Sequence, residues 1–414
     1  MTRHGSRLRT ALTVLIAWGA LVAPGLAGSP AAAGTSAAPR YGPVMRVASG
    51  VTYREFSVAG SQGTARGHLL TVDLRDRRVS LDLLHPGAVG ARAPLSRLAD
   101  ARGAVGGVNG DFFNISETQH PGVEPTFAAV GPAVAAGRVW KAAVPDGQRF
   151  GPALPPGTTT EDVLGMGADR RVRLGRLALR GTVTTRLGRL RLRGLNQYAL
   201  PVGGVGAFTP AWGSVSRVRA VCGTDTDRAA PCSTDTHEVT VLRGRVARTA
   251  GAPGSGPVAR DTVVLVGREA GAQALRALRI GDRIGVRYGL ATGAPVPYRF
   301  AVGGFPVLRN GVPLDGLDDR TAAIRSAAGA DAAGRLVQLL ALDGTVEHRP
   351  GLTIAELARL MRVLGSENAI NLDGGGSSTL ALREPGASGV TVRNHPSGGV
   401  ERLIPEGIGV FALG

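Results

Sequence analysis

A chain of 414 residues is long enough for two ordinary domains or one large one. Its 43% hydrophobic content supports a sizeable core, but aromatics are only 4%, so Val, Leu, Ile and Ala must fill it. The formal charge of +17 is almost wholly arginine, which suits a GC-rich codon bias or an anionic partner such as a phosphorylated glycan; nucleic acid is disfavoured, since no basic run with interleaved aromatics and no zinc-ligand spacing is present.

Arg3, Arg7 and Arg9 precede an apolar stretch from Ala11 to Ala23, and small residues follow. This is the three-part pattern of an export signal over residues 1–33. The stretch is short for a bilayer span of ~20 residues, and no other segment is long and apolar enough. Residues 34–49, rich in Ala, Gly, Ser and Pro, read as a flexible leader. With 62 Gly and 26 Pro the remainder is turn-rich, which favours many short strands over a helical bundle.

Alternating patterns predict strands at 52–58, 68–74 and 78–84, and Leu95 to Ala101 reads as a short helix. A buried strand from Ala104 to Val108 then runs into Asn109-Gly110-Asp111-Phe112-Phe113-Asn114. Strand ends carry polar side chains to the rim of a sheet, where pockets form. From about 157 to 290 the pattern changes to Arg-Val and Arg-Leu alternations, such as Arg171–Leu174 and Arg189–Leu192. This predicts an inserted β-rich subdomain whose arginines form a solvated face, with a short helix at 272–278. Within it, Cys222 and Cys232 bracket a turn-prone stretch and should pair in an oxidising compartment. So short a loop adds roughly 2.5–3 kcal/mol in the chain-entropy model.

From Phe300 the apolar strand pattern of the N-terminal part returns. The apolar run Ala301–Leu308 ends at the turn Arg309-Asn310-Gly311, and Arg335–Leu342 is an apolar strand ending at Asp343-Gly344. One helix is clear: Thr353 and Glu356 form a capping box, Ile354, Leu357, Ala358, Met361 and Leu364 repeat at helical spacing, and Gly365 stops it. A strand from Asn368 to Leu372 then ends at Asp373-Gly374-Gly375-Gly376-Ser377-Ser378. Three glycines open backbone conformations closed to other residues, and their N–H groups can cradle an anion. This is not a nucleotide P-loop, since no lysine follows and the glycine spacing differs. The expected fold is α+β, with mixed, mostly antiparallel sheets flanked by a few helices. Its main domain is built from residues 50–156 and 291–414, around the insert at 157–290.

Four segments in order share one resemblance. They are Asn109-Gly110-Asp111-Phe112-Phe113, then Asp319-Arg320-Thr321 with the apolar strand to Asp343-Gly344, then the capped helix leading into Asn371-Leu372-Asp373-Gly374-Gly375-Gly376-Ser377-Ser378, and finally Val392-Arg393-Asn394-His395-Pro396. Together they resemble the phosphodiester glycosidase family over roughly 67–414, with the last-but-one motif the most specific. The resemblance implies a hydrolase that cleaves the bond between the anomeric carbon of an N-acetylglucosamine-like sugar and a phosphodiester oxygen. It implies Arg320 on the phosphate, with Gly374–Gly376, Ser377 and Ser378 as further donors. Asp373 is the first choice for nucleophile or base, and Asp111 the second. Asn109, Asn371 and Thr321 would contact substrate, and Asp343 would bind sugar or hold Arg320. His395 reads as a loop residue. Carboxylates and amides so grouped are the kind that hold Ca²⁺, but no ligand spacing demands a metal. Two other readings stay open: a glycosidase acting on an envelope polysaccharide without phosphate, and a glycan-binding protein that does not turn over.

Overall fold

A computed structural model describes residues 38–348 and 350–413. The export signal expected at 1–33, and residues 34–37 of the expected leader, lie outside them. The fold is rich in strands and has three α-helices among the described residues, at Leu95–Arg102, Ala270–Arg276 and Ile354–Val363. None of them is long and apolar enough to cross a membrane.

The largest sheet has nine strands and is antiparallel throughout. Its order is Arg40–Tyr41, Val51–Gly60, Gly63–Asp73, Leu336–Leu342, Ser326–Ala330, Asn368–Leu372, Phe305–Arg309 and Val312–Pro313, with Met45–Ala48 also on Val51–Gly60. The expectation of a flexible leader through residue 49 therefore fails for 40–48. Their backbone pairs with the sheet edge, and the Tyr41 ring lies 3.7 Å beneath the Arg54 guanidinium.

Both faces of the large sheet are covered, which is why its central strands are apolar without alternation. In Leu336–Leu342, Val337, Leu339 and Ala341 pack with Val108, Leu380, Ile408 and Val410 of a five-stranded antiparallel sheet. Leu340 and Leu342 face the other way, onto Ile354, Leu357 and Met361 of the last helix. The capping box of that helix is present as read, with the Thr353 side chain accepting from the Glu356 N–H and the Glu356 carboxylate accepting from the Thr353 N–H. Such a cap contributes about 1 kcal/mol. Gly365 ends the helix at φ 94°.

Ala301–Leu308 is not one strand. Tyr298–Gly303 belongs to a third sheet with Asp162–Gly167 and Ala133–Ala135, and Phe305–Arg309 to the nine-stranded one. The chain changes sheets at Gly304, whose φ is 151° and whose Cα lies so close to the Asn371 carbonyl that a Cβ would come within 2.9 Å of it. Only glycine fits such a crossing. A fourth, seven-stranded sheet is built wholly from Ala178–Ala291. Cys222 and Cys232 are joined by a disulfide in the loops beside it.

Candidate active site

Three strand ends meet where the five-stranded and nine-stranded sheets face each other: those of Gly106–Asn109, Asn368–Leu372 and Ser326–Ala330. The first turns into Asn109-Gly110-Asp111. The Asn109 side chain is fully buried and entirely committed to the protein. Its Nδ2 donates to the Asp373 carbonyl at 2.7 Å, and its Oδ1 accepts from the Ser326 hydroxyl at 2.7 Å and the Thr379 N–H at 3.2 Å. The Asp373 N–H in turn donates to the Gly110 carbonyl at 3.0 Å. Asn109 thus sews the glycine turn to the strands beside it. The family resemblance placed this amide on a sugar; it has no donor left for one.

Asp111 is 4% exposed, and its carboxylate sits in a slot that only glycines leave open. A Cβ on Gly303 would fall 2.3 Å from its Oδ2, and one on Gly131 2.8 Å. The carboxylate accepts from the Phe112 N–H at 2.8 Å and the Gly131 N–H at 2.6 Å. Burial nevertheless pushes its pKa up, against the pull of those amides, Lys141 and Arg149. Arg149 flanks the Phe112 and Phe305 rings and lines a small cavity with Asp111, Thr160 and Gly304. On the far side of Gly110, Glu406 is buried with its Oε1 unpartnered among the described residues. Its carboxyl is pushed upward by burial and by the nearby Asp111. Lys141, fully buried, donates to the carbonyls of Val130, Gly131 and Ala142, and burial lowers its pKa.

Asp373 follows the strand Asn368–Leu372 and is partly exposed. Burial of its carboxyl pushes the pKa up to about 6, opposed by the Ser377 hydroxyl, the Gly374 N–H and the Arg402 guanidinium. The Gly374 N–H to Asp373 Oδ1 distance is 2.9 Å. The glycine turn is anchored by the Gly375 N–H on the Ile324 carbonyl at 2.9 Å, and Gly375 is left-handed at φ 57°. Across Gly376 lies Arg402, so close that a Cβ there would meet its Nη2 at 2.3 Å. Arg402 Nη1 also donates to the Ser377 hydroxyl at 3.2 Å. The turn therefore offers a carboxylate, a hydroxyl and a half-buried guanidinium on one short stretch. Ser378 is buried and faces inward, its hydroxyl donating to the Ser326 hydroxyl oxygen at 3.0 Å.

Other expected residues have contacts of a different kind. The Arg320 side chain is 94% exposed, and its only ionic partner among the described residues is Asp319, at 4.0 Å. Its backbone N–H and that of Thr321 are held by the Asp318 carboxylate, so this stretch is a capped surface turn. Asp343 is fully buried and holds His395, accepting from its Nδ1 at 2.9 Å and from its backbone N–H. It does not hold Arg320. Asn371 is buried in the sheet, with Nδ2 on the Leu372 carbonyl and Oδ1 unpartnered among the described residues. One His/Cys/acid group among the described residues has metal-holding distances, His120 with Cys222 and Cys232, and its two sulfurs are spent on the disulfide.

Arg402, Arg149 and Glu406 are not visible in the sequence as site residues, because each sits in a loop or strand end with no periodic signal. Lys141 did carry one: it is the only lysine in the chain.

Fold and site together define a mostly antiparallel α+β scaffold with a carboxylate–arginine site at its strand ends. Residues 236–411, which include Asp373 and Arg402, match the phosphodiester glycosidase family model. Among solved structures, a hypothetical protein from Synechocystis matches at TM-score 0.67 and 22% identity, covering 90% of this chain and 64% of that one. The chain thus spans less than two thirds of that protein. A Burkholderia pseudomallei protein, described as exported by inference, matches at TM-score 0.68 and 19% identity, covering 90% and 96%. These two likenesses speak for the fold alone. The zebrafish N-acetylglucosamine-1-phosphodiester alpha-N-acetylglucosaminidase catalytic domain, auto-inhibited by its pro-peptide, matches at TM-score 0.43 and 14% identity, covering 91% and 89%, and carries no argument. No curated protein matches.

Proposed function

We propose that this protein is an exported hydrolase that cleaves the bond between the anomeric carbon of an N-acetylglucosamine-like sugar and a phosphodiester oxygen. The observation that carries the reading is the Asp373 turn. The carboxylate of a partly exposed residue, its pKa raised to about 6 by burial of the group, stands beside a guanidinium that has no carboxylate partner among the described residues. A phosphate is a good leaving group, so strong general-acid help is less needed than in ordinary glycoside hydrolysis. What the reaction needs is a cation for the phosphate and a carboxylate for the anomeric centre. Arg402 suits the first role, because a guanidinium fork matches phosphate oxygens. Asp373 suits the second as nucleophile or as base for water. Asp111 suits it less, with both oxygens already held by amide N–H groups. Arg149 and the Asp111 cavity would border the sugar. Export is part of the proposal; it is supported by the basic, apolar N-terminal pattern and the disulfide.

The test is a panel of chromogenic sugar phosphodiesters set against plain glycosides of the same sugars. The expected result is release from the phosphodiesters alone, with Asp373→Asn lowering kcat by ~100-fold or more. Equal release from plain glycosides, or full turnover by the variant, would overturn the assignment.

A further inference from the structure

A cleft of about 1090 Å³ lies away from the carboxylates, on the outer side of the seven-stranded sheet. Arg180, Arg189, Arg243, Arg283 and Arg287 line it, and none of them makes an ion pair or a side-chain hydrogen bond among the described residues. Two more arginines are tethered at the rim, Arg186 to Asp282 at 2.9 Å and Arg245 to the Gly281 carbonyl at 3.0 Å. No carboxylate is among the lining residues.

Strand register makes this a designed face rather than a scatter. Thr182 pairs across to Arg191 on one side and Arg287 on the other, and Thr184 to Arg189 and Gly285. Directly paired residues share a face, so three adjacent strands present arginine, threonine and glycine outward. The alternate positions Val183, Leu190, Leu192 and Val286 turn into the core. Arginines two apart on a strand stand ~7 Å apart, and neighbouring strands ~5 Å, so the cations form a lattice. Like charges at that spacing repel, and an arginine-biased composition alone would intersperse acids among them.

We infer that this face binds a linear anionic polymer whose charges are phosphodiesters, that is, a poly(polyol phosphate) or phosphoglycan chain. The choice of polymer rests on the proposed phosphodiester substrate; the existence of a polyanion site does not. Guanidinium forks select phosphate oxygens. Five free arginines spread over three strands and a hairpin cannot converge on one phosphate, but they can track a chain. Nucleic acid fits less well, because single strands bind by stacking bases on aromatics and Tyr288 is the one aromatic in the cleft. The face would hold the polymer while the Asp373 turn acts on a sugar carried by it.

The experiment uses the full chain and end-labelled poly(glycerol phosphate), with fluorescence anisotropy across a salt series. Dextran and poly-dT are the comparison ligands. Binding should be tighter than to either and should weaken steeply with salt. A triple variant, Arg180→Ala with Arg189→Ala and Arg287→Ala, should bind at least ~30-fold more weakly, with the log–log salt slope smaller by about 2, close to 0.7 for each lost phosphate contact. Its melting temperature and its turnover of a small chromogenic sugar phosphodiester should be unchanged. Binding no tighter than to dextran, equal binding by the triple variant, or tighter binding to poly-dT would overturn the inference. Polymer binding without any phosphodiester turnover would sink the proposed reaction and leave this site standing; turnover without polymer binding would do the reverse.

Discussion

Replacing the glycines of the 374–376 turn by alanine, one at a time, separates three costs that their common sequence hides. Gly374 has φ −119° and ψ −160°, a conformation open to any residue. Its added Cβ, however, would lie 2.5 Å from the Ile324 carbonyl oxygen, the same atom that accepts the Gly375 N–H. Backbone cannot swing aside, so overpacking of about 1–3 kcal/mol and a weakened hydrogen bond of about 1 kcal/mol both fall on stability. Gly375 meets nothing within 4 Å but is left-handed. The steric cost of about 1–2 kcal/mol for alanine there is partly offset by the stiffer unfolded chain, about 0.4–1 kcal/mol, so the net loss is about 1 kcal/mol. Gly376 is different again. Its Cβ would meet only the Arg402 guanidinium, at 2.3 Å from Nη2, and that side chain can move away. Stability should hardly change, but the guanidinium leaves its place beside Ser377. A lost charge-assisted contact of about 1.5–3 kcal/mol corresponds to a fall in kcat/KM of roughly 10- to 150-fold. Urea denaturation and kcat/KM on a sugar phosphodiester read the two effects separately. Wild-type kcat/KM in Gly376→Ala, or a Gly374→Ala protein as stable as Gly375→Ala, would refute the reasoning.

Arg402→Ala should lower kcat/KM more than ~10-fold, chiefly through KM, while Arg320→Ala should stay within about 2-fold; steady-state kinetics of the pair decide which arginine meets phosphate. Asp373→Asn should stabilise the fold while it removes turnover. Because the folded pKa of Asp373 is raised from 3.8 to about 6, the folded state holds a proton that the unfolded chain releases over that interval, so its stability falls as pH rises through it. The variant should therefore melt higher than wild type at pH 7.5, with the gap closing as pH drops toward 4; a gap independent of pH would contradict the assignment. Asn109→Ala orphans the buried Ser326 and Thr379 donors and frees the Asp373 carbonyl, so it should cost about 3 kcal/mol or more in urea denaturation. Replacing both Cys222 and Cys232 by serine should cost roughly 2–3 kcal/mol.

Much of the fold was legible in the residues because the signals are local. The helix Ile354–Val363 announces itself through its capping box and apolar spacing, and Gly365 through its position after them. The candidate site was legible as a group of polar residues at the ends of apolar strands, but not that Asn109 and Asn371 among them are buried. The same local signals mislead at Ala301–Leu308, because a continuous apolar run says nothing about which sheet each half joins. They are silent on Arg320, whose side chain stands in solvent.

What the chain determined by itself was therefore a set of short-range facts: strand periods, the cap, the glycine turn and the pairing of two nearby cysteines. Tertiary structure alone decided which groups face one another. Asn109 reaches the Asp373 carbonyl across 264 residues of sequence, and Gly303 opens the slot that Asp111 occupies. Arg402 covers Gly376 from a loop that carries no pattern of its own. The physical reason is one of range. Propensity and periodicity act over a few residues, whereas burial, carboxylate repulsion and the choice of which arginine is left without an acid depend on how the sheets close over one another.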